Sequence, residues 1–353
     1  MEFIDLFCGA GGLSLGLEGA GLRCVAAVEI DRDSCATFAA RHRDALIFDE
    51  SIEGVDFRQF EGIDLIAGGP PCQPFSSGGK GLASQDERDM LPAFIRAVRE
   101  AMPKAFLMEN VPGLISPSHR AYLDATIAEF SDIGYTVEHA VLNAATFGVP
   151  QKRRRLFISG LRGDVAPVVF PTPTHGPGSR RPYVSTGSVL VRDGVIGEPN
   201  ESKVVYAKNP DLRPSPFDGH LFNGGGRPID LSSPAHTILA SAGGNKTHFI
   251  DVLGEVPEYH RSLMAGGSPR TGTLTGGRRL TVAESAAIQT FPKGMQFHGS
   301  RSSQYTQVGN AVPPDLAKVL GKALLKQIQR VKDVHAPVTS VSTSERSESV
   351  LTK

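Results

Sequence analysis

Short apolar runs recur through the first half of the chain, at residues 1–7, 24–28, 45–48, 63–67 and 105–108. Runs of this length, closed by glycine, proline or acidic residues, read as buried strands. Helix-spaced patterns lie between them. Leu13, Leu15 and Leu17 open a helix that closes at Gly19-Ala20-Gly21. Leu91, Phe94, Ile95 and Val98 line one face of a helix predicted over 88–101, and a further helix is predicted over 121–130. Residues 135–142 and 151–159 read as two more strands, joined by a turn-rich link over 143–150. The strand–glycine turn–helix opening is that of a nucleotide-binding α/β unit.

The pattern changes near residue 164. Prolines become frequent, strands become short, as at 203–206, and glycine turns recur at 224–226, 243–244 and 276–277. A loop-rich second domain is predicted here, in which loops carry function. Helical spacing returns at 280–292, where Thr281 and Glu284 have the spacing of a capping box. A last helix is predicted over 315–331. The tail, 334–353, is rich in Ser, Thr and charge and is expected to be disordered.

Composition adds bounds. A length of 353 residues suggests about two domains. The formal charge is zero, so a nucleic-acid surface would have to arise from local segregation of charge. The cysteines at 8, 24, 35 and 72 lack metal-ligand spacing, no metal is expected, and no signal-peptide pattern opens the chain. A reduced, cytoplasmic protein is expected, with no membrane partner.

Candidate chemistry sits where apolar runs stop. Residues 63–67 lead into Gly68-Gly69-Pro70-Pro71-Cys72-Gln73-Pro74. Pro71 fixes its own φ, and Pro74 biases Gln73 away from helix. A thiol here is either a buried packing group or a positioned nucleophile, and so stiff a turn favours positioning. The segment 76–86 that follows reads as a connector or as a mobile lid. The strand at 105–108 ends in Glu109-Asn110-Val111-Pro112, placing a carboxylate on the same sheet edge. That edge is where open α/β sheets bind ligands. Residues 151–155 are Gln-Lys-Arg-Arg-Arg, the densest basic spot. Alternation in a strand would put Gln151, Arg153 and Arg155 on one face. Glu29, about 20 positions beyond the first glycine turn, is placed to meet ribose hydroxyls.

These motifs resemble those of the DNA (cytosine-5) methyltransferases of bacterial restriction–modification type. Pro-Pro-Cys-Gln-Pro-Phe-Ser at 70–76, Phe-Cys-Gly-Ala-Gly-Gly at 7–12, Glu-Asn-Val at 109–111, Gln-x-Arg-x-Arg at 151–155 and Gln-Val-Gly-Asn-Ala-Val at 307–312 follow in the family's order. The resemblance implies an α/β fold: a Rossmann-like, S-adenosylmethionine-dependent methyltransferase domain (1–163 and 303–333) with a smaller, loop-rich target-recognition domain (164–302). It implies Cys72, Glu109, Arg153 and Arg155 as catalytic residues. It implies Phe7, Gly9, Gly11, Glu29, Ile30, Asp49, Asn310 and Val312 as S-adenosyl-L-methionine contacts. Gln73, Ser76, Arg227, Thr237, Lys246 and Arg278 are the expected DNA contacts. The implied partners are double-stranded DNA, with a flipped-out cytosine as target, and a cognate restriction endonuclease. A monomer at the nucleoid is expected. A transfer-RNA cytosine-5 methyltransferase is the alternative. A nicotinamide oxidoreductase would fit the glycine turn and leave the other motifs unexplained.

Overall fold

A computed structural model describes residues 1–71, 89–163, 165–193, 200–210, 227–241 and 243–334. The expected lid and nearly all of the expected disordered tail lie outside the described residues. The first unit runs β1 (Glu2–Leu6), α1 (Gly12–Gly19), β2 (Arg23–Val28), α2 (Arg32–Arg41), β3 (Leu46–Phe48), β4 (Leu65–Gly68), α3 (Leu91–Ala101), β5 (Ala105–Asn110), α4 (Arg120–Asp132), β6 (Tyr135–Asn143), β7 (Gln151–Lys152) and β8 (Arg154–Arg162). Among the described residues, seven of these strands form one sheet in the order β3-β2-β1-β4-β5-β8-β6. All pairings are parallel except those of β8, which runs antiparallel to both β5 and β6.

That order decides where a site can form. Strand order reverses between β1 and β4, and such a switch point opens a crevice at the carboxyl edge of the sheet. The glycine turn after β1 and the Gly-Pro turn after β4 flank that crevice. Antiparallel β8 starts at the same edge: Asn110 is paired with Leu156, so Arg155 stands just beyond the end of β5.

The strands are apolar on both faces because helices cover both. One core joins β1, β2, β4 and β5 to α1 and the long α9 (Pro314–Val334), through Leu13, Leu17, Leu316, Leu320 and Leu324. The other face packs Ile4, Leu6, Ile66, Phe106 and Met108 against Phe94, Val98 and Phe130. The last helix therefore returns to the first unit.

The remaining segments are α5 (Thr186–Asp193), β9 (Ala235–His236), β10 (Phe249–Asp251), α6 (Glu255–Met264), β11 (Gly277–Arg279), α7 (Val282–Ile288) and α8 (Arg301–Asn310). They have a small core of their own: Val204, Tyr206, Phe249, Val256, Tyr259, Leu263 and Leu274. Helices α5 and α6 depart from the loop-rich expectation, α8 forms where no element was expected, and 203–206 keeps only an isolated bridge at Val205. The α7 capping box forms as expected, with Glu284 N donating to Thr281 Oγ1 at 3.0 Å and Thr281 N to Glu284 Oε2 at 2.9 Å.

One buried group makes stability depend on pH. Asp5, mid-β1, is 1% exposed. Ser14 Oγ donates to its Oδ2 at 2.6 Å, while Oδ1 has no hydrogen-bond partner. Burial pushes its carboxyl up to about 7; the Ser14 hydroxyl opposes this, and the charge of Glu29 adds to it. The folded chain thus holds this proton more tightly than the unfolded chain. The associated stability is full below the unfolded value of 3.8 and is lost as pH rises through about 7. Asp5→Asn should melt with a flatter pH dependence than the native chain across that window. Parallel melting curves for the two would refute this.

Candidate functional site

The first half of the site is the turn between β1 and α1. Phe7, Gly9 and Gly11 all take left-handed backbone angles, with φ of 59°, 53° and 81°. At Phe7 that conformation is strained, and such strain concentrates at sites where the backbone must take a set shape. Behind the turn, a Cβ on Gly11 would stand 2.9 Å from Phe38 and His42. In front, a Cβ on Gly9 would meet nothing within 4 Å, so the tip faces open space. Glu29 holds that tip: its Oε2 accepts from Gly9 N and its Oε1 from Ile30 N and Asp31 N, each at 2.9 Å. A carboxylate has about four acceptor positions, so one on Oε2 stays available.

Beside Glu29, the apolar side chain of Ile30 is 70% exposed, and exposed Asp49 follows β3. Glu29 N donates to Phe48 O at 3.1 Å and joins the two strand ends. Asn310 is exposed at the end of α8, and Val312 is buried with its carbonyl against Gly12. An open glycine tip, a carboxylate and an apolar platform fit an adenosyl group with a charged amino-acid end.

The second half lies across the switch point. After β4 the chain passes through Gly69, Pro70 and Pro71. Asn110 Nδ2 donates to Pro70 O at 3.4 Å, and Met90 N to Pro71 O at 3.1 Å. The turn is thereby pinned to the end of β5 and the start of α3. Cys72, Gln73 and Ser76 lie outside the described residues; Cys72 follows Pro71 in sequence. Glu109 faces this turn. Its Oε1 lies 2.9 Å from Arg155 Nε, an ion pair without the alignment of a hydrogen bond, and both side chains are mostly buried. Its Oε2 faces Gly69, 3.3 Å from where a Cβ there would stand. The carboxylate thus has one oxygen held by a cation and the other turned toward the Pro-Pro turn.

Arg153 has a different setting from Arg155. The basic run is not one strand: it breaks at Arg153 between β7 and β8, although the alternation persists, with Gln151, Arg153 and Arg155 inward and Lys152 and Arg154 exposed. Arg153 is 1% exposed, and its guanidinium donates to three main-chain carbonyls: Ile238 at 3.3 Å, Gly309 at 2.9 Å and Asn310 at 3.1 Å. Burial pulls its pKa down to about 9, with Arg155 adding and Glu109 opposing. Arg153 thus differs from Arg155: its two terminal nitrogens hold backbone carbonyls, and its buried Nε has no hydrogen-bond partner among the described residues.

Among the expected DNA contacts, Thr237 donates to Lys152 O at 2.8 Å, Lys246 is exposed, and Arg227 is half-buried with its N–H donating to His248 Nδ1 at 3.1 Å. Arg278 grips Glu284 of the capping box with two bonds, of 2.9 and 2.8 Å. Sequence reasoning missed Asn110 as the tie to Pro70. It also missed Gln289, a fully buried amide in an apolar helix end, whose only sequence signal is that misplaced polarity.

Known proteins resemble this chain in sequence and in fold. The model of the C-5 cytosine-specific DNA methylase family matches residues 1–209 and 228–326. The type II methyltransferase M.NgoMIV of Neisseria gonorrhoeae is 33% identical over 94% of this chain and 99% of its own length. M.PspPI of a Psychrobacter strain is 35% identical over 94% of this chain and 81% of its own. Among solved structures, Spodoptera frugiperda DNMT2 superposes with a TM-score of 0.66 at 20% identity, over 92% of this chain and 99% of that one. An Escherichia coli prophage-encoded putative DNA modification methyltransferase gives 0.63 at 23%, over 93% and 99%. At those identities the two structures bear on the fold alone.

Proposed function

The chain belongs to the C-5 cytosine-specific DNA methylase family, and we propose that it methylates carbon 5 of a cytosine flipped out of a specific duplex sequence, with Cys72 as nucleophile and S-adenosyl-L-methionine as donor. The observation that carries this reading is the Glu109–Arg155 pair, 2.9 Å apart at the exit of the Pro70–Pro71 turn, on the sheet edge that also bears the open glycine turn.

Carbon 5 of cytosine is a poor nucleophile. A thiolate adding to carbon 6 makes the ring enamine-like and raises the electron density at carbon 5. Cys72, the residue after the pinned Pro71, supplies that thiolate. Charge then builds at ring nitrogen 3, where Glu109 Oε2 supplies or shares a proton. Arg155 holds Glu109 through Oε1 and offers its remaining N–H groups to the ring oxygen. When bound, S-adenosyl-L-methionine supplies an electrophilic methyl group. Glu29, Ile30 and Asp49 would hold its adenosyl part, Phe7, Gly9 and Gly11 its methionine part, and Asn310 and Val312 would close over it. Water then takes the carbon 5 proton, the carbon 6–sulfur bond breaks to release Cys72 as its thiolate, and the proton at nitrogen 3 returns to Glu109. A base stacked in a duplex cannot enter such a crevice, so it is extruded. The segment between β8 and α7 reads the sequence, with Arg227, Thr237 and Lys246 toward the DNA. The protein acts as a monomer in the cytoplasm, beside a restriction endonuclease of the same specificity.

Bisulfite sequencing of DNA from cells expressing the chain tests this. Cytosines protected in one recurring sequence context are expected. Full conversion of every cytosine in DNA, or protection confined to RNA, would overturn the reading.

A further inference from the structure

The last four carbonyls of a helix have no partner within it. At the end of α8, the carbonyls of Val308, Gly309 and Asn310 and that of Ala311 beyond are met by two side chains from distant sequence. Gln289 Nε2 donates to Val308 O at 2.6 Å and to Ala311 O at 3.3 Å. Arg153 donates to Gly309 O and Asn310 O at 2.9 and 3.1 Å. The same pair reaches the segment after β9. Arg153 also donates to Ile238 O at 3.3 Å. Gln289 Oε1 accepts from Gln151 Nε2 at 2.8 Å, and Gln151 Oε1 accepts from Ile238 N at 2.9 Å. Both polar groups of Ile238 are thus held. Gln151 and Gln289 are fully buried, so a lost partner leaves an amide unsatisfied.

The end of α8 is also wedged. A Cβ on Gly309 would stand 2.3 Å from the Leu239 carbonyl, and a Cβ on Gly12 would stand 2.4 Å from Val312 O. Backbone 309–312 therefore touches the segment 238–240 on one side and the glycine turn on the other. Thr290, next to Gln289, accepts from Asp315 N at 3.1 Å and fixes the start of α9.

We propose that Gln289 is the positioning residue that couples the cofactor turn to the recognition segment 238–240. It contacts neither ligand and acts through the α8 carbonyls. A filled glycine turn restrains Gly12 and Gly12 restrains 309–312; Arg153 and the Gly309–Leu239 contact hold 309–312 against 238–240, and Gln289 with Gln151 makes the link that fixes the Ile238 N–H, on which the ligand-dependent protection depends. The position uses both ends of the amide, which donates to Val308 and accepts from Gln151 at once. The proposal rests on the cofactor assignment above.

Amide hydrogen exchange on the full chain, with and without saturating S-adenosyl-L-homocysteine, tests it. In the native chain, amides of 238–240 should exchange at least about fivefold more slowly with the ligand bound, the lower range of site-to-site coupling. Gln289→Met keeps the volume and removes both bonds. It should bind the ligand within about threefold of native by calorimetry, in line with a residue outside the site, yet lose that protection. Should the Met variant fail to melt cooperatively, Gln289→Glu, which keeps only the acceptor, is read the same way. Ligand bound to the native chain without protection at 238–240 overturns the proposal, as does full protection in the variant. No ligand binding to the native chain would instead remove the proposed function itself, and the coupling with it.

Discussion

Cys72→Ser should form no covalent complex with a duplex carrying 5-fluorocytosine at the methylated position. The native chain with S-adenosyl-L-methionine should form one that survives denaturing electrophoresis. Release after methyl transfer needs departure of the carbon 5 substituent as a cation, which hydrogen can do and fluorine cannot. The enzyme therefore stays attached wherever its nucleophile added. Serine is far less ionised than cysteine at neutral pH, and loss of a nucleophile costs on the order of 10⁶-fold in turnover in a well-studied hydrolase. No other thiol can substitute. Cys8, Cys24 and Cys35 are 6%, 3% and 7% exposed. Burial raises the Cys8 and Cys24 thiols well above their usual range and pushes Cys35 up to about 11. Serine at any of those three should leave trapping intact. A covalent complex that persists in Cys72→Ser would refute the catalytic assignment.

The legible part of this site is the part built from short sequence. The turn at Phe7–Gly12, the acid at Glu29 and the Pro-Pro turn each announce themselves, because glycine and proline mark the backbone positions where a strand must stop and face a ligand. Glu109 was legible for the same reason, sitting between a strand and a proline. The alternation at 151–155 correctly placed Arg153 and Arg155 on the inner side. It could not separate their roles, because apart from an Arg155 bond to the Arg154 carbonyl what meets the two guanidiniums comes from residues 109, 238, 309 and 310. Helix α6 carries a readable stripe, Val256, Tyr259 and Leu263, hidden among glycine and proline turns, whereas α8 was illegible for a different reason. In α8, Tyr305 and Val308 are the buried apolar residues, and the rest of its buried surface is Gln307 and Gly309, so almost no apolar stripe exists to read. Its shape is set by tertiary bonds such as Gln307 Nε2 to His298 O at 2.8 Å and Thr37 Oγ1 to Gln307 Oε1 at 2.7 Å.

Those settings predict opposite outcomes for the two inner arginines. Arg153→Met should destabilise the fold. It strips donors from the carbonyls of Ile238, Gly309 and Asn310 and removes a cation from the C-terminal end of α8, where the helix dipole favours one. Unsatisfied buried groups cost about 1–3 kcal/mol each, and relief of the buried charge offsets part of the sum. A net loss of about 3 kcal/mol is expected, or roughly 4 °C in melting temperature for a chain of this length. Arg155→Met should lose less stability than Arg153→Met, since it removes one bond, to Arg154 O, and one ion pair, with Glu109, at a carboxylate that can take up a proton once its cation is gone. It should lose roughly 10²–10³-fold in turnover, the scale for a donor facing developing charge, with cofactor affinity unchanged. Arg155→Lys should recover little, because a point charge cannot hold Glu109 and the ring oxygen as a fork does. Thermal melts and single-turnover methylation on the mapped sequence separate the two. A stable Arg153→Met that is dead in turnover would place its guanidinium on the base and make both arginines catalytic.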